Sequence, residues 1–179
     1  MLTKLIICGT LMLYVPLNGK TVFDFTKNTN FEGWSIVNDD VMGGRSVGSL
    51  KLDESGNGVF SGYISLRNYG GFSSIRYRTN PIDVRDSKAI VMRLKGDNKY
   101  YQLRIKSKYR DRHVYSKKFF LSNEWQDITI PLKSMEPQFR GQRLRMNNFN
   151  HNTIVEFGIL IGNKVEEYFS LQINNIRIE

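Results

Sequence analysis

Eleven short runs of β-branched and aromatic residues, each closed by turn formers, dictate a fold built from sheets. They lie at 22–25, 34–37, 47–52, 59–66, 72–79, 89–95, 100–107, 114–121, 126–130, 153–161 and 169–178. Asn-Asp, Gly-Gly, Ser-Gly-Asn-Gly, Asn-Pro and Gly-Asp-Asn clusters separate them, all suited to tight turns. Several runs alternate cleanly. Tyr101, Leu103 and Ile105 share one face, with Arg104 and Lys106 on the other. Ile90, Met92 and Leu94 oppose Val91, Arg93 and Lys95, and the Asn174-Asn175 pair shifts the register of the last run, as a β-bulge does. No window is long enough and helical enough in period for an α-helix. The pattern predicts an all-β sandwich or jelly roll. Residues 133–149 are expected to be a long loop, because Pro137, Gly141 and the Asn-rich 147–150 stretch discourage regular structure.

At 179 residues, with 40% hydrophobic and 12% aromatic content, the chain is large enough for one core. Residues 1–19 read as a signal peptide. Lys4 supplies the positive end, the apolar 5–17 stretch follows, and Pro16, Asn18 and Gly19 break it. That stretch is short for a membrane span. The reading makes residues 20–179 a single β-sandwich domain that is exported, periplasmic or extracellular. An uncleaved N-terminal membrane anchor is the alternative. The lone cysteine, Cys8, lies inside this segment, so the mature chain has no disulfide, thiolate nucleophile or thiolate metal site. Without Lys4 the balance is 25 basic against 17 acidic residues, or net +8, which favours acidic partners.

The most unusual run is Trp34-Ser-Ile-Val-Asn38-Asp39-Asp40-Val-Met42-Gly43-Gly44-Arg45-Ser46. Two readings of it stand. Asp39 and Asp40 suit a hard cation or sugar hydroxyls. Equally, they suit a hydrogen-bonded corner that fixes strand order. A second run carries Gly70-Gly71-Phe72 and reads either as a hairpin turn or as a place where a ligand ring approaches the backbone. Gly96-Asp97 before Tyr100 reads as another hairpin. Trp125 is expected in the core. Arg140-Gly141 is offered as a partner for an anion or for the carboxylate of Asp39 or Asp40.

Taken together, Trp34, Asn38-Asp39-Asp40-Val41-Met42-Gly43-Gly44 with Ser46, Phe60 and Gly62, Gly70-Gly71-Phe72, Gly96-Asp97, Tyr100, Trp125 with Pro131, Phe139-Arg140-Gly141 and Phe157-Gly158 resemble the complex I intermediate-associated protein family, over nearly all of the mature chain. The resemblance implies a galactose-binding-like jelly roll related to carbohydrate-binding modules. It also implies a chaperone-like assembly role in building respiratory complex I, with no catalytic residues to carry over. An exported chain would stand across the membrane from a matrix-side assembly site, so fold and task are separate expectations.

Arg76 and Arg78, Arg93 and Lys95, and Arg104, Lys106 and Lys108 recur at period two. If their strands share a sheet, its outer face carries a positive stripe suited to an acidic protein, an acidic glycan or anionic lipid. Nucleic acid is not expected, since no recognition motif is present. Catalysis is not expected either. His113 and His151 stand in no motif, there is no P-loop or dinucleotide fingerprint, and adjacent carboxylates on extended backbone point apart. No cofactor is implied. The expected partners are a membrane-complex subunit or, alternatively, a glycan of the cell envelope.

Overall fold

The computed structural model describes residues 19–179 apart from Thr29, and leaves out the side chains of Val41 and Met42. The expected export segment thus falls, except for Gly19, outside the described residues, and so does the side chain of Met42, a member of the candidate run.

Among the described residues, thirteen antiparallel strands form two packed sheets. They are β1 (Lys20–Asp24), β2 (Trp34–Asn38), β3 (Val47–Leu52), β4 (Gly58–Ile64), β5 (Ser73–Asp83), β6 (Ala89–Lys95), β7 (Lys99–Lys106), β8 (Val114–Leu121), β9 (Trp125–Pro131), β10 (Glu136–Phe139), β11 (Gln142–Arg143), β12 (Thr153–Ile161) and β13 (Glu167–Ile178). One sheet has six strands in the order β3-β4-β13-β6-β9, with β1 also paired to β13. The other has seven, ordered β11-β10-β8-β7-β12-β5-β2. The all-β jelly-roll sandwich expected from alternation is what the chain builds.

Alternation explains the core. On β7, Tyr101, Leu103 and Ile105 are buried, and on β6 so are Ile90, Met92 and Leu94. Each such side chain contributes about 1.5–3 kcal/mol by leaving water. On β13, Phe169, Leu171 and Ile173 face inward, and then the parity changes so that Ile176 and Ile178 do. The change is a bulge at Asn174, whose carbonyl accepts from the Phe25 amide at 2.9 Å. Phe23, Phe25, Trp34 and Tyr77 pack edge to face and tilted at 4.7–5.3 Å between centroids, joining β1 to β2 and β5.

Four expectations are corrected. The 133–149 segment is not a loop throughout: β10 and β11 form a hairpin there. Pro137 is tolerated because its carbonyl faces Leu144, so the N–H it lacks would also have faced the short β11 side. Arg140 and Gly141 are the two turn residues, with φ of 48° and 78°. They sit at the β11 edge of the seven-stranded sheet, while Asp39 follows β2 at the opposite edge. Arg140 instead lies over the Phe139 ring at 5.4 Å, so it is no partner for Asp39 or Asp40. Asn-Gly suits this turn better than Arg-Gly, and Arg140→Asn is expected to raise stability by roughly 0.5–1 kcal/mol in urea unfolding.

The second and third corrections concern turns and Trp125. Gly70-Gly71 and Gly96-Asp97 are not hairpins, because β4 and β5, like β6 and β7, belong to different sheets. Trp125 is only half-buried and lies outside the core. It faces outward across from Lys95, under the Arg93 guanidinium at 5.9 Å.

The fourth divides the positive stripe. β5 and β7 lie in the seven-stranded sheet, but β6 pairs with β13 and β9 in the other. Arg93 and Lys95 therefore face away from Arg76, Arg78, Arg104 and Lys106. Lys108 lies in the turn after β7 rather than on a strand.

Candidate functional site

Two places gather the residues singled out by sequence. The first is the edge of the sandwich where β2 and β3 are the outer strands. Here the chain crosses twice between sheets, from β2 to β3 and from β4 to β5, and one carboxylate fastens the two crossings. A 3₁₀ turn over Asp39–Met42 directs Asp39 inward, at 4% exposure, and leaves Asp40 exposed. Asp39 Oδ1 accepts from the Ser46 amide at 3.1 Å. Its Oδ2 accepts from the Ser46 hydroxyl, from the Gly71 amide at 2.6 Å and from the Phe72 amide at 3.2 Å.

Further bonds run beside it. The Ser46 hydroxyl accepts from the Ser65 amide at 3.0 Å. Asn68 Nδ2 donates to the Gly43 carbonyl at 2.8 Å, and the Ser73 hydroxyl to Asn38 Oδ1 at 2.7 Å. The corner and the Gly-Gly-Phe segment are thus one structure.

Space explains two of the glycines. A Cβ on Gly44 would lie 2.2 Å from Asp39 Oδ1, and one on Gly70 2.6 Å from Oδ2. Burial raises the Asp39 carboxyl's pKa, but the four hydrogen bonds lower it more, so it stays below the ordinary aspartate value. Chemically this is a saturated anion: its lone pairs are committed to the chain's own donors. Trp34, at the far end of β2 about 13 Å away, belongs to the aromatic packing rather than to this corner.

Asp97 makes a second internal fastening. It accepts from the Tyr101 hydroxyl, from Lys99 Nζ and from the Ser170 amide, each at 2.9 Å, and so ties the β6–β7 crossing to β13. Gly96 donates its amide to the Ser122 carbonyl. Burial, and then the Asp97 charge, raise the Tyr101 phenol well above its usual range.

The second place is the outer face of the seven-stranded sheet. Register puts Arg76 and Arg78 on β5, Glu156, Gly158 and Leu160 on β12, and Arg104 and Lys106 on β7 side by side. Ser116 and Lys118 on β8 continue the rows. Arg78 pairs with Glu156 at 3.2 Å. At one end stand Tyr100 and Phe120, 49% and 46% exposed and 5.3 Å apart, with Lys118 Nζ 4.4 Å from the Tyr100 ring. Sequence reasoning found Arg76, Arg78, Arg104, Lys106 and Tyr100. It missed Lys118, Phe120, Glu156 and the placement of Gly158, although period two along β8 and β12 carries the signal.

It also missed that both histidines pack on one tyrosine. His113 and His151 flank the buried Tyr115 at 5.2 and 5.4 Å, and the Tyr115 hydroxyl hydrogen-bonds His151 Nε2 at 2.7 Å. Among the described residues no three His, Cys, Asp or Glu side chains gather as a metal site. No helix among them is long and apolar enough to cross a membrane.

Two antiparallel sheets, fastened by sheet-crossing corners, place the molecule among jelly-roll β-sandwiches of the carbohydrate-binding-module shape. The chain is similar to the family 11 carbohydrate-binding module of the cellulosomal cellulase Lic26A-Cel5E of Clostridium thermocellum. Identity is 15%, the TM-score 0.66, and the match covers 89% of this chain and 93% of that one. A family 11 module from Clostridium thermocellum in complex with a beta-1,3-1,4-mixed-linked tetrasaccharide matches with a TM-score of 0.66 at 14% identity, covering 89% and 95%. The agarase AgWH50C matches at 13% identity and a TM-score of 0.60, over 90% of this chain but 24% of its own. At these identities the likeness is one of fold. The chain belongs to the family described as Complex I intermediate-associated protein 30 (CIA30), whose family model matches residues 23–173.

Proposed function

We propose that this is a non-catalytic binding domain of assembly-factor type, which holds an acidic stretch of a membrane-complex subunit against the outer face of its seven-stranded sheet. Membership of a family named for an assembly intermediate supports the task. The observation that carries the location is the cross-strand grid of Arg76, Arg78, Arg104, Lys106 and Lys118, with the carboxylate of Glu156 standing among them. Such a field steers and retains acidic partners and weakens with salt. The Asp39 corner serves this face indirectly, by holding the two sheets in place.

The test is capture of membrane-complex subunits by residues 20–179, with bound subunits identified by mass spectrometry. Lys106→Glu with Lys118→Glu is expected to reduce retention at least tenfold and flatten its salt dependence. Lys51→Glu with Lys95→Glu, on the other sheet, should change it less than threefold. Equal loss from both pairs would defeat the location.

A glycan of the cell envelope is the second reading, favoured by the carbohydrate-binding-module fold and by the exposed Tyr100–Phe120 pair. Glycan-array binding that fails in Tyr100→Ala would promote it over the first. Both readings accommodate export, or attachment through an uncleaved N-terminal segment. A mature N-terminus at Lys20 or Thr21 on Edman sequencing of the envelope fraction would settle between cleavage and anchoring.

A further inference from the structure

Along β12 the outward positions recur at every second residue, as Glu156, Gly158 and Leu160. Two successive rungs of the sheet there each have two flanking cations but different centres. At the first rung Glu156 stands between Arg78 on β5 and Lys106 on β7. The strand supplies its own carboxylate, and Arg78 Nε meets it at 3.2 Å. One rung on, Gly158 stands between Arg76 and Arg104. The flanking charges are repeated and the carboxylate is missing.

The geometry of that second rung is a notch. A Cβ placed on Gly158 would lie 3.1 Å from the Ile75 carbonyl oxygen, 3.6 Å from Arg76 Cγ and 3.9 Å from Arg104 Cβ, so the backbone of β5 crowds its base and the two arginine stems form its walls. Among the described residues neither guanidinium takes part in an ion pair. Arg104 Nε is shielded from solvent with no hydrogen-bond partner, and its Nη2 donates to the neutral Gln102 Oε1 at 3.3 Å. Burial, followed by repulsion from Arg76, pulls the Arg104 guanidinium down to about 10. A shielded cation without a counter-charge is costly to hold, and a ligand that brings the counter-charge recovers that cost on binding.

We infer that the notch over Gly158 is a carboxylate site, in which an Asp or Glu side chain of the bound protein segment takes the place that Glu156 fills one rung earlier. The inference rests on the binding face proposed above and names what that face recognises. A carboxylate matches the planar forked donors of arginine, which makes the notch selective for an acidic side chain over a neutral one.

The probe is an acetylated, amidated hexaglutamate peptide, titrated calorimetrically into residues 20–179 while the arginine Nε–Hε resonances are followed by NMR. Arg104→Gln is expected to weaken binding at least tenfold, and the Arg104 Nε resonance of the unsubstituted protein to shift on titration. Gly158→Asp supplies the carboxylate from within. It is expected to melt higher than Gly158→Asn, its uncharged counterpart, and to lose the peptide.

Unchanged affinity in Arg104→Gln, or a Gly158→Asp protein that melts no higher than Gly158→Asn, would overturn the inference. If peptide binding then still depends on Lys106 and Lys118, the face survives and only the notch is lost. An oligogalacturonate that binds through Arg104 where the peptide does not bind would overturn the acidic side chain as ligand, and the protein-partner reading with it.

Discussion

Asp39→Ala is expected to lower the unfolding free energy by about 4 kcal/mol, which in a domain of this size moves Tm down by roughly 8–16 °C. The substitution leaves the amides of Ser46, Gly71 and Phe72 and the Ser46 hydroxyl without their shared acceptor, in a corner that is buried at Ser46 and partly buried at Gly71 and Phe72. Asp40→Ala, one residue on and exposed, should stay within about 0.5 kcal/mol of the parent. Urea unfolding of the pair decides the matter, and equal midpoints would show that the carboxylate fastens nothing.

The same carboxylate gives an acid signature. Its folded pKa lies below the ordinary value near 3.9, so on acidification the unfolded chain takes up protons first. The Asp39 contribution is therefore complete above about pH 4 and is lost as pH falls through the folded value. Asp24 and Asp53 are held low in the same direction, and an Asp39→Ala profile should be flatter in that window without becoming flat.

Gly44→Ala should cost about 2–3 kcal/mol, and most of that cost should vanish when Asp39 is already glycine, which has neither the carboxylate nor the Cβ that would stand 2.8 Å from the added methyl. An added Cβ would sit 2.2 Å from Asp39 Oδ1, so the methyl and the carboxylate compete for one position. A double-mutant cycle separates this from ordinary backbone strain. Coupling of about 2 kcal/mol between the two sites is the expected result. Strict additivity would mean that Gly44 is required by its backbone rather than by its neighbour.

Strand faces were legible in the sequence because parity is a local property. Tyr101, Leu103 and Ile105 announce an inner face without reference to any other strand. Parity even held a warning about Trp125, which shares its phase with Asp127 and Thr129 while Ile128 and Ile130 take the inner phase. Its size and apolarity obscured that phase.

Sheet membership was not legible. Arg93 and Arg104 have the same local pattern, and only hydrogen bonds to strands far away in sequence put them on opposite sides of the molecule. The corner was recognisable as special from Asp-Asp before Gly-Gly. Which carboxylate turned inward depended on a 3₁₀ turn whose partner, the Gly71 amide, lies 32 residues further on. The β10–β11 hairpin was hidden because Pro137 argues against a strand unless the direction of its missing donor is known.

The place of β13 in the six-stranded sheet has a consequence for how the molecule is made. This last strand pairs with β4 and β1 along one side and β6 along the other, so half of the sandwich has no centre until residue 178 has left the ribosome. The strands emerging before it can collapse but cannot take up their final partners, and contacts this distant in sequence form slowly. Native structure of this sheet should arrive late and in one step, with the nascent chain open to chaperones until residue 178 has emerged.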